Sequence, residues 1–540
     1  MTLGLSIDAQ AQNAVWQWSV KVKNARENNG VAKAYLWIAP ECRRVRAFIF
    51  AQNNMEEQSI LENPQFRKEM GKLGIAEVWV SPSFDHLFDF EKGAGETFTD
   101  LMNELAGVSG YDELSYAPFI GMGHSAAASA PYYMAAWNPE RTLAAISVSG
   151  QWPYFRNPSF APDIWGARTI DFVPCLETMG EYEAANTVSA EGLKERQAHS
   201  LIPLSMLANP AQGHFAATDE KCVYLALYIA KALKYRLPEL TAKGKKPHLK
   251  KIDPTKTGWL VDKWRFDQQP TAPPAPVGNY QGDPAQAFWF FDEELAKATA
   301  TYQAKHRNQQ PQLIGYVENN KMVGQRSTHQ QVNLRFKPEA DGITFKLHAA
   351  FYDTVPVGSP RPKGWADRPV GQPVGHSTSK IAIRIDRITG PVIKLDDSTF
   401  RLNSRAGFWE DPHSYELWFA ATHPGDEAYK PAVQQAQMLV PPRNTQGTVQ
   451  HINFAAIPDQ KPGSKNVKLN ATSDARVPVN FYVEEGPAAL DGNVLRLTDM
   501  PPRSKFPVKV TIVAWQYGSA NEPKLQTAAP VARTFWIGQR

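Results

Sequence analysis

Five consecutive residues, Gly123-His124-Ser125-Ala126-Ala127, set a serine among small neighbours just after the apolar run "FIGM". A serine hydroxyl is a poor nucleophile at neutral pH. To attack a carbonyl it needs an imidazole that takes its proton and a carboxylate that orients the imidazole. Both residue types lie downstream: Glu177, Glu181 and Glu183 in "CLETMGEYE", then His214 after a glycine in "PAQGHFA". The other histidines read differently. His124 sits inside the turn, where it packs or hydrogen-bonds, and His86 and His199 lie in polar segments typical of a surface. The GxSxA pattern is short and built of common residues, so its weight depends on the elements around it.

Those elements alternate. "AKAYLWIAP", "RVRAFIFAQ", "IAEVWVSP", "APFIGMG" and "LAAISVSG" read as strands, and helix-compatible segments separate them: "MEEQSILENPQFRKEMGKLG", "TFTDLMNELAGVSG" and "AAASAPYYMAAW". Such alternation predicts a parallel sheet with helices on both faces, in which ligands bind beyond the carboxyl ends of the strands. Ser125 falls at one of those ends, between strand and helix. A sharp turn there strains the serine backbone and lifts its hydroxyl over the sheet, provided the residues two before and two after lack bulk. Gly123 and Ala127 meet that requirement. Pro131 is the odd residue, since it removes a backbone donor early in the helix and is expected to bend it. Two later segments, "DFVPCLETMG" and "IPLSMLANPAQGHFA", read as further strands, and "DEKCVYLALYIAKALKYR" as a helix.

This strand–serine–helix unit resembles the nucleophile elbow of the α/β-hydrolases, with alanine in place of the usual last glycine. The resemblance implies the chain order nucleophile, acid, base, and Ser125, Glu183 and His214 follow it. It places the acid after the strand that ends near Met179, three residues past a glycine. That favours Glu183, with Glu181 a close rival and Glu177 a distant one. It also implies an oxyanion hole made by the amide of Ala126 and one from the loop after "FIFAQNN", at Asn54 or Met55.

The stretch "SGQWPYFRNPSFAPDIWGART" follows the strand after the elbow helix and is expected to overhang the pocket. Trp152, Tyr154, Phe155 and Trp165 offer faces for stacking on sugar rings, and Arg156 and Arg168 could bind a carboxylate. The competing reading is an aromatic cap that packs on itself.

The chain of 540 residues is long enough for several domains. Its 42 prolines and 35 glycines fall mostly after residue 250. We expect a signal-peptide remnant or disordered start over 1–12, on the strength of "LGLSI" and the Ala9-Gln10-Ala11 cleavage-like pattern. An α/β domain follows over 13–245, then a Pro-rich linker and docking helix over 246–309. That helix is read from "GDPAQAFWFFDEELAKATATYQAKH", capped by Asp283, with Phe288, Trp289 and Phe291 docking on another domain. Short alternating strands predict a β-sandwich over 310–457 and a second β unit over 458–540. The latter resembles the immunoglobulin-like repeats of secreted bacterial proteins.

Net charge is +4, and no basic run is dense enough for nucleic acid; "KGKKPHLKK" reads as a solvated linker. No apolar segment approaches the roughly 18 residues a membrane span needs. Cys42, Cys175 and Cys222 are far apart, without ligand spacing, and read as buried thiols. No metal or cofactor is expected.

The whole layout resembles the secreted multidomain carbohydrate esterases of Bacteroidetes, nearest the carbohydrate esterase family 19 pectin methylesterases. That resemblance implies a secreted or periplasmic serine esterase acting on methyl or acetyl esters of a pectic or related polysaccharide. The alternatives are a non-catalytic carbohydrate-binding protein on a hydrolase scaffold, or a peptidase of the same fold.

Overall fold

The computed structural model describes residues 15–155, 163–238, 244, 246–326, 329, 331–357, 368–408 and 415–538. The expected leader over 1–12 lies outside them.

Eight strands form the principal sheet: β1 (Trp18–Lys21), β2 (Lys33–Trp37), β3 (Ala47–Gln52), β4 (Ile75–Ser81), β5 (Phe119–His124), β6 (Thr142–Val148), β7 (Cys175–Gly180) and β8 (Leu204–Asn209). They lie in the order β1-β2-β4-β3-β5-β6-β7-β8. β2 is antiparallel to both β1 and β4, and every pair from β4 to β8 is parallel. Every residue of β3 to β8 is buried, as expected for parallel strands covered on both faces. This is the α/β-hydrolase fold.

The helices are α1 (Glu57–Leu61), α2 (Pro64–Leu73), α3 (Ala94–Ser109), α4 (Ala130–Trp137), α5 (Ala185–Ala198) and α6 (Asp219–Arg236), with α7 (Glu293–Gln303) beyond them. The helical segment before β4 is broken at Asn63. Its side chain accepts from the amides of Gln65 and Phe66, and Pro64 opens the next helix where its missing donor is not needed.

The helix expected from Asp283 onward is overturned in its first half. Asp283 caps only a short 3-10 turn, Pro284–Gln286, and Ala287–Phe290 is a strand antiparallel to Trp259–Asp262. Aromatic residues at Phe288, Trp289 and Phe290 favour that pairing over a helix. Asp292 is the true cap of α7, accepting from the amide of Leu295. The aromatic stripe does dock on the hydrolase unit: Phe288 stacks on Trp152 at 5.5 Å, and the Trp289 carbonyl accepts from Ser205 Oγ at 2.6 Å.

Beyond residue 310 the chain is built of strands. A four-stranded sheet holds Val332–Arg335, Ala432–Leu439, Glu416–His423 and Arg384–Thr389. A three-stranded sheet of Thr344–Lys346, Thr399–Leu402 and Val392–Lys394 faces it across a core containing Phe345, Phe400 and Phe419. The last strands, among them Asn480–Glu485, Val508–Trp515 and Val531–Ile537, pack as a further antiparallel unit. That unit lies against the outer edge of the hydrolase sheet. Trp16 bridges to Gly486, Ser19 Oγ donates to Glu485 at 2.5 Å, and Lys33 pairs with Glu484.

Candidate active site

Ser125 has φ +54°, the left-handed backbone expected of a nucleophile in a forced turn. The small residues around it answer to specific contacts. A Cβ on Gly123 would stand 2.1 Å from the Ala127 carbonyl oxygen, and one on Gly121 would stand 2.9 Å from Pro131 Cα. The chain leaves the strand through a 3-10 turn, Ser125–Ala127, and α4 begins at Ala130. Pro131 therefore lies in the first helical turn, where no donor is lost, and the expected bend has no cause. The Ala126 amide, at the free end of the turn, has no intrahelical partner.

His214 follows β8 in a loop that crosses close to the end of β7. A Cβ on Gly180 would lie 2.2 Å from the Gly213 carbonyl oxygen. The structure brings the serine, histidine and acid together. His214 Nε2 is 2.9 Å from Ser125 Oγ, and His214 Nδ1 is 2.9 Å from Glu183 Oε2, a close contact that departs from linear hydrogen-bond geometry. Burial pushes the His214 imidazole below its ordinary pKa, against the opposing pull of Glu183, so the ring is neutral and able to accept a proton. Burial would raise the Glu183 carboxyl, but the close contact with His214 and the hydrogen bond from His329 outweigh it and hold the group well below the carboxylate range.

His329 had no sequence signal. It lies in the polar run "QRSTHQQ", in the β-rich part of the chain, and reaches the hydrolase site from there. Its Nδ1 is 3.1 Å from Glu183 Oε1, and its ring stacks on that of His214 at 3.9 Å and 17°. Glu183, His214 and His329 thus place one potential ligand atom each within 4.8 Å of one another. In this structure they contact each other.

The rival acids do other work. Glu181 pairs with Lys430 Nζ at 3.1 Å and accepts from the Ala211 amide at 2.7 Å. Glu177 is buried within β7, accepts from the Gly150 amide at 2.9 Å, and is pushed by burial up to about 8.

The oxyanion expectation is corrected at Asn54 and Met55. Both amides donate to Glu57 Oε2, at 2.9 and 2.8 Å, and the Asn54 side-chain amide donates to the His124 carbonyl. A carboxylate collecting turn amides leaves neither one to face a substrate. Of the expected donors only the Ala126 amide remains.

The aromatic cap packs on itself at Trp152, Tyr154 and Trp165, while Phe155 is 47% exposed. Trp152 is buried, donates to the Val188 carbonyl at 2.6 Å, and fills the space above Gly192, where a Cβ would fall 2.2 Å from its ring. Trp165 is buried between Tyr133 and Tyr154, and Tyr154 stacks on His199 at 3.7 Å. Arg168 lies over Phe90 and pairs with Glu91 at 3.1 Å on the surface. None of these contacts runs to Ser125, and Arg156 lies outside the described residues. His124 is fully buried under His214, and His86 contacts Glu27 Oε1 at 2.5 Å. Phe215 packs edge-on against the His214 ring and belongs to an apolar cluster with Ile388 and Trp418, on which Met55 packs.

No protein-family model matches the chain, and no curated protein matches it. Among solved structures the chain is similar to a dienelactone hydrolase from Anabaena variabilis ATCC 29413, at 15% identity. That match covers 41% of this chain and 98% of the other, with a TM-score of 0.27. An S-formylglutathione hydrolase from Agrobacterium tumefaciens matches at 12% identity, covering 42% of this chain and 97% of the other, with a TM-score of 0.30. Est1E from Butyrivibrio proteoclasticus matches at 13% identity, covering 38% and 93%, with a TM-score of 0.26. The strand order β1-β2-β4-β3-β5-β6-β7-β8 by itself defines the fold. No helix among the described residues is long and apolar enough to cross a membrane.

Proposed function

We propose that the protein is a serine ester hydrolase. One observation carries the reading: a serine with left-handed backbone at the strand-to-helix turn, 2.9 Å from a buried imidazole that is itself 2.9 Å from a carboxylate. Ser125 Oγ attacks the ester carbonyl as its proton passes to His214 Nε2. Glu183 stabilises the imidazolium, and the Ala126 amide hydrogen-bonds the oxyanion. Collapse expels the alcohol, which takes the proton from His214. Water, deprotonated by the same nitrogen, then frees the acyl group.

The substrate class we propose is a methyl or acetyl ester on a pectic or related polysaccharide, with the protein secreted or periplasmic. The multidomain plan supports this reading: a catalytic domain over 13–245, a connector over 246–309 and β domains over 310–457 and 458–540. The burial of Trp152 and Trp165 withdraws the sugar-stacking argument at those positions.

The test is hydrolysis of a small chromogenic acetyl ester, with methanol and acetate release measured separately from esterified pectins. Turnover is expected in the parent protein. Ser125→Ala should reduce it by at least about 1,000-fold. Turnover that survives the substitution would overturn the mechanism, and failure on every ester would favour a non-catalytic carbohydrate-binding role.

A further inference from the structure

Each oxygen of Glu183 meets a different histidine, and the two histidines come from different parts of the chain. Oε2 faces His214 Nδ1 from the hydrolase unit, and Oε1 is 3.1 Å from His329 Nδ1 in the β-rich part. An ionised carboxylate only accepts, so His329 Nδ1 carries the hydrogen. The His329 ring also covers one face of the His214 ring, nearly parallel to it.

The backbone presents this residue deliberately. His329 has φ +49°, a left-handed conformation uncommon outside glycine. The stem beneath it is closed by a bridge between Gln325 and Val332 and by the Arg326 amide donating to the Gln331 carbonyl at 2.7 Å. Gln325 and Gln331 are tied in turn to Gln434 and Gln437 of the neighbouring strand. That same strand region grips both catalytic loops. Lys430 pairs with Glu181, the Pro431 carbonyl accepts from Tyr182 Oη at 2.9 Å, and Gln435 Nε2 donates to the Phe215 carbonyl at 3.2 Å. Glu181 and Tyr182 adjoin the acid, and Phe215 adjoins the base.

We infer that His329 is a positioning residue of the catalytic centre: it anchors the second oxygen of Glu183 and caps the His214 ring, so that the β-sandwich completes the site. The inference rests on the serine-hydrolase reading above. Without the His329 hydrogen bond, the Glu183 carboxylate is held from one side only and can turn away from His214. The imidazole then loses the partner that fixes its tautomer and stabilises its charge during attack.

The experiment compares the parent protein with Ser125→Ala, His329→Ala and His329→Asn. It measures hydrolysis of a chromogenic acetyl ester and the rate at which a fluorophosphonate labels Ser125. His329→Ala is expected to lower kcat by about 10- to 100-fold with little change in KM, and to slow labelling to match. His329→Asn keeps an amide donor near Nδ1 and should recover part of both rates. The His329 side chain is 32% exposed, so neither variant removes core packing, and thermal melts of the two variants check this. A His329→Ala kcat within about twofold of the parent overturns the inference. So does an equal loss in both variants, which would deny the hydrogen bond its role. If Ser125→Ala abolishes turnover and His329→Ala keeps it, the hydrolase reading stands and this inference alone falls. If the parent protein neither turns over the ester nor labels, both fall together.

Discussion

At the scale of single residues, the site is a set of opposed electrostatic effects. Burial disfavours the charged form of both His214 and Glu183, yet their mutual contact and His329 keep the acid ionised while the base stays neutral. The pH dependence follows from the sign of each shift. On the proposed mechanism activity requires neutral His214, whose pKa lies below 6.5, so kcat/KM should rise with pH through a midpoint below that value and hold its plateau above neutrality. A midpoint above about 7 in a pH–rate series would contradict the buried, uncharged base. Glu183 adds no second limb near neutrality, because its pKa is displaced far to the acid side. Its lowered pKa also links to folding: the stability it contributes is complete above its ordinary 4.5 and is lost as pH falls through the lowered value.

At the scale of elements, the strand–turn–helix unit was the most legible part of the chain. The glycines and alanines around Ser125 announced a close approach, and the structure names it as that of the Gly123 Cα to the Ala127 carbonyl. Gly123→Ala tests the element directly. The added methyl would meet a backbone oxygen that cannot move without reshaping the turn. We expect a loss of about 1–3 kcal/mol in stability, read by denaturant titration, together with slowed fluorophosphonate labelling of Ser125. Parent-like stability and labelling would show that the turn tolerates bulk. The alternation of strand and helix was equally legible because period and length are local properties. What escaped was set by contacts between distant segments. "AFWF" satisfies a helical pattern as readily as an extended one, and pairing with Trp259–Asp262 decides for the strand. Trp152 reads as an exposed platform until Phe288, far along the chain, is found stacked upon it. Asn54 and Met55 sit in the expected loop, but Glu57, two or three residues on, claims their amides. His329 had no local mark at all.

At the scale of the whole molecule, the β units are fastened to the hydrolase rather than strung behind it. Lys430 is the clearest fastening, with its ammonium almost wholly buried between Glu181 and Asp267 at 3.1 and 2.9 Å. Removing Lys430 leaves the buried Glu181 carboxylate without its counter-charge, while Asp267 is partly open to water. Lys430→Ala is therefore expected to destabilise the protein by about 3–5 kcal/mol. Because Glu181 lies two residues from Glu183, the same variant should also lower kcat under conditions where it remains folded. Thermal melts and steady-state assays of one preparation would separate the two effects, and parent-like values in both would refute the fastening. The last strands play a comparable part at the other end of the sheet, where Trp16, Ser19 and Lys33 meet Gly486, Glu485 and Glu484 along the β1–β2 edge that would otherwise be open to pairing with another chain.

The grip of the strand around Lys430 and Gln435 on both catalytic loops also has a consequence in time. A ribosome delivers Ser125, Glu183 and His214 before it delivers His329, Lys430, Pro431 and Gln435. Domains fold largely as they emerge, so the growing chain passes through a stage that holds the reactive groups without the strand that seats them. The sequence order therefore delivers Ser125 early and the strand that grips the Glu183 and His214 loops late.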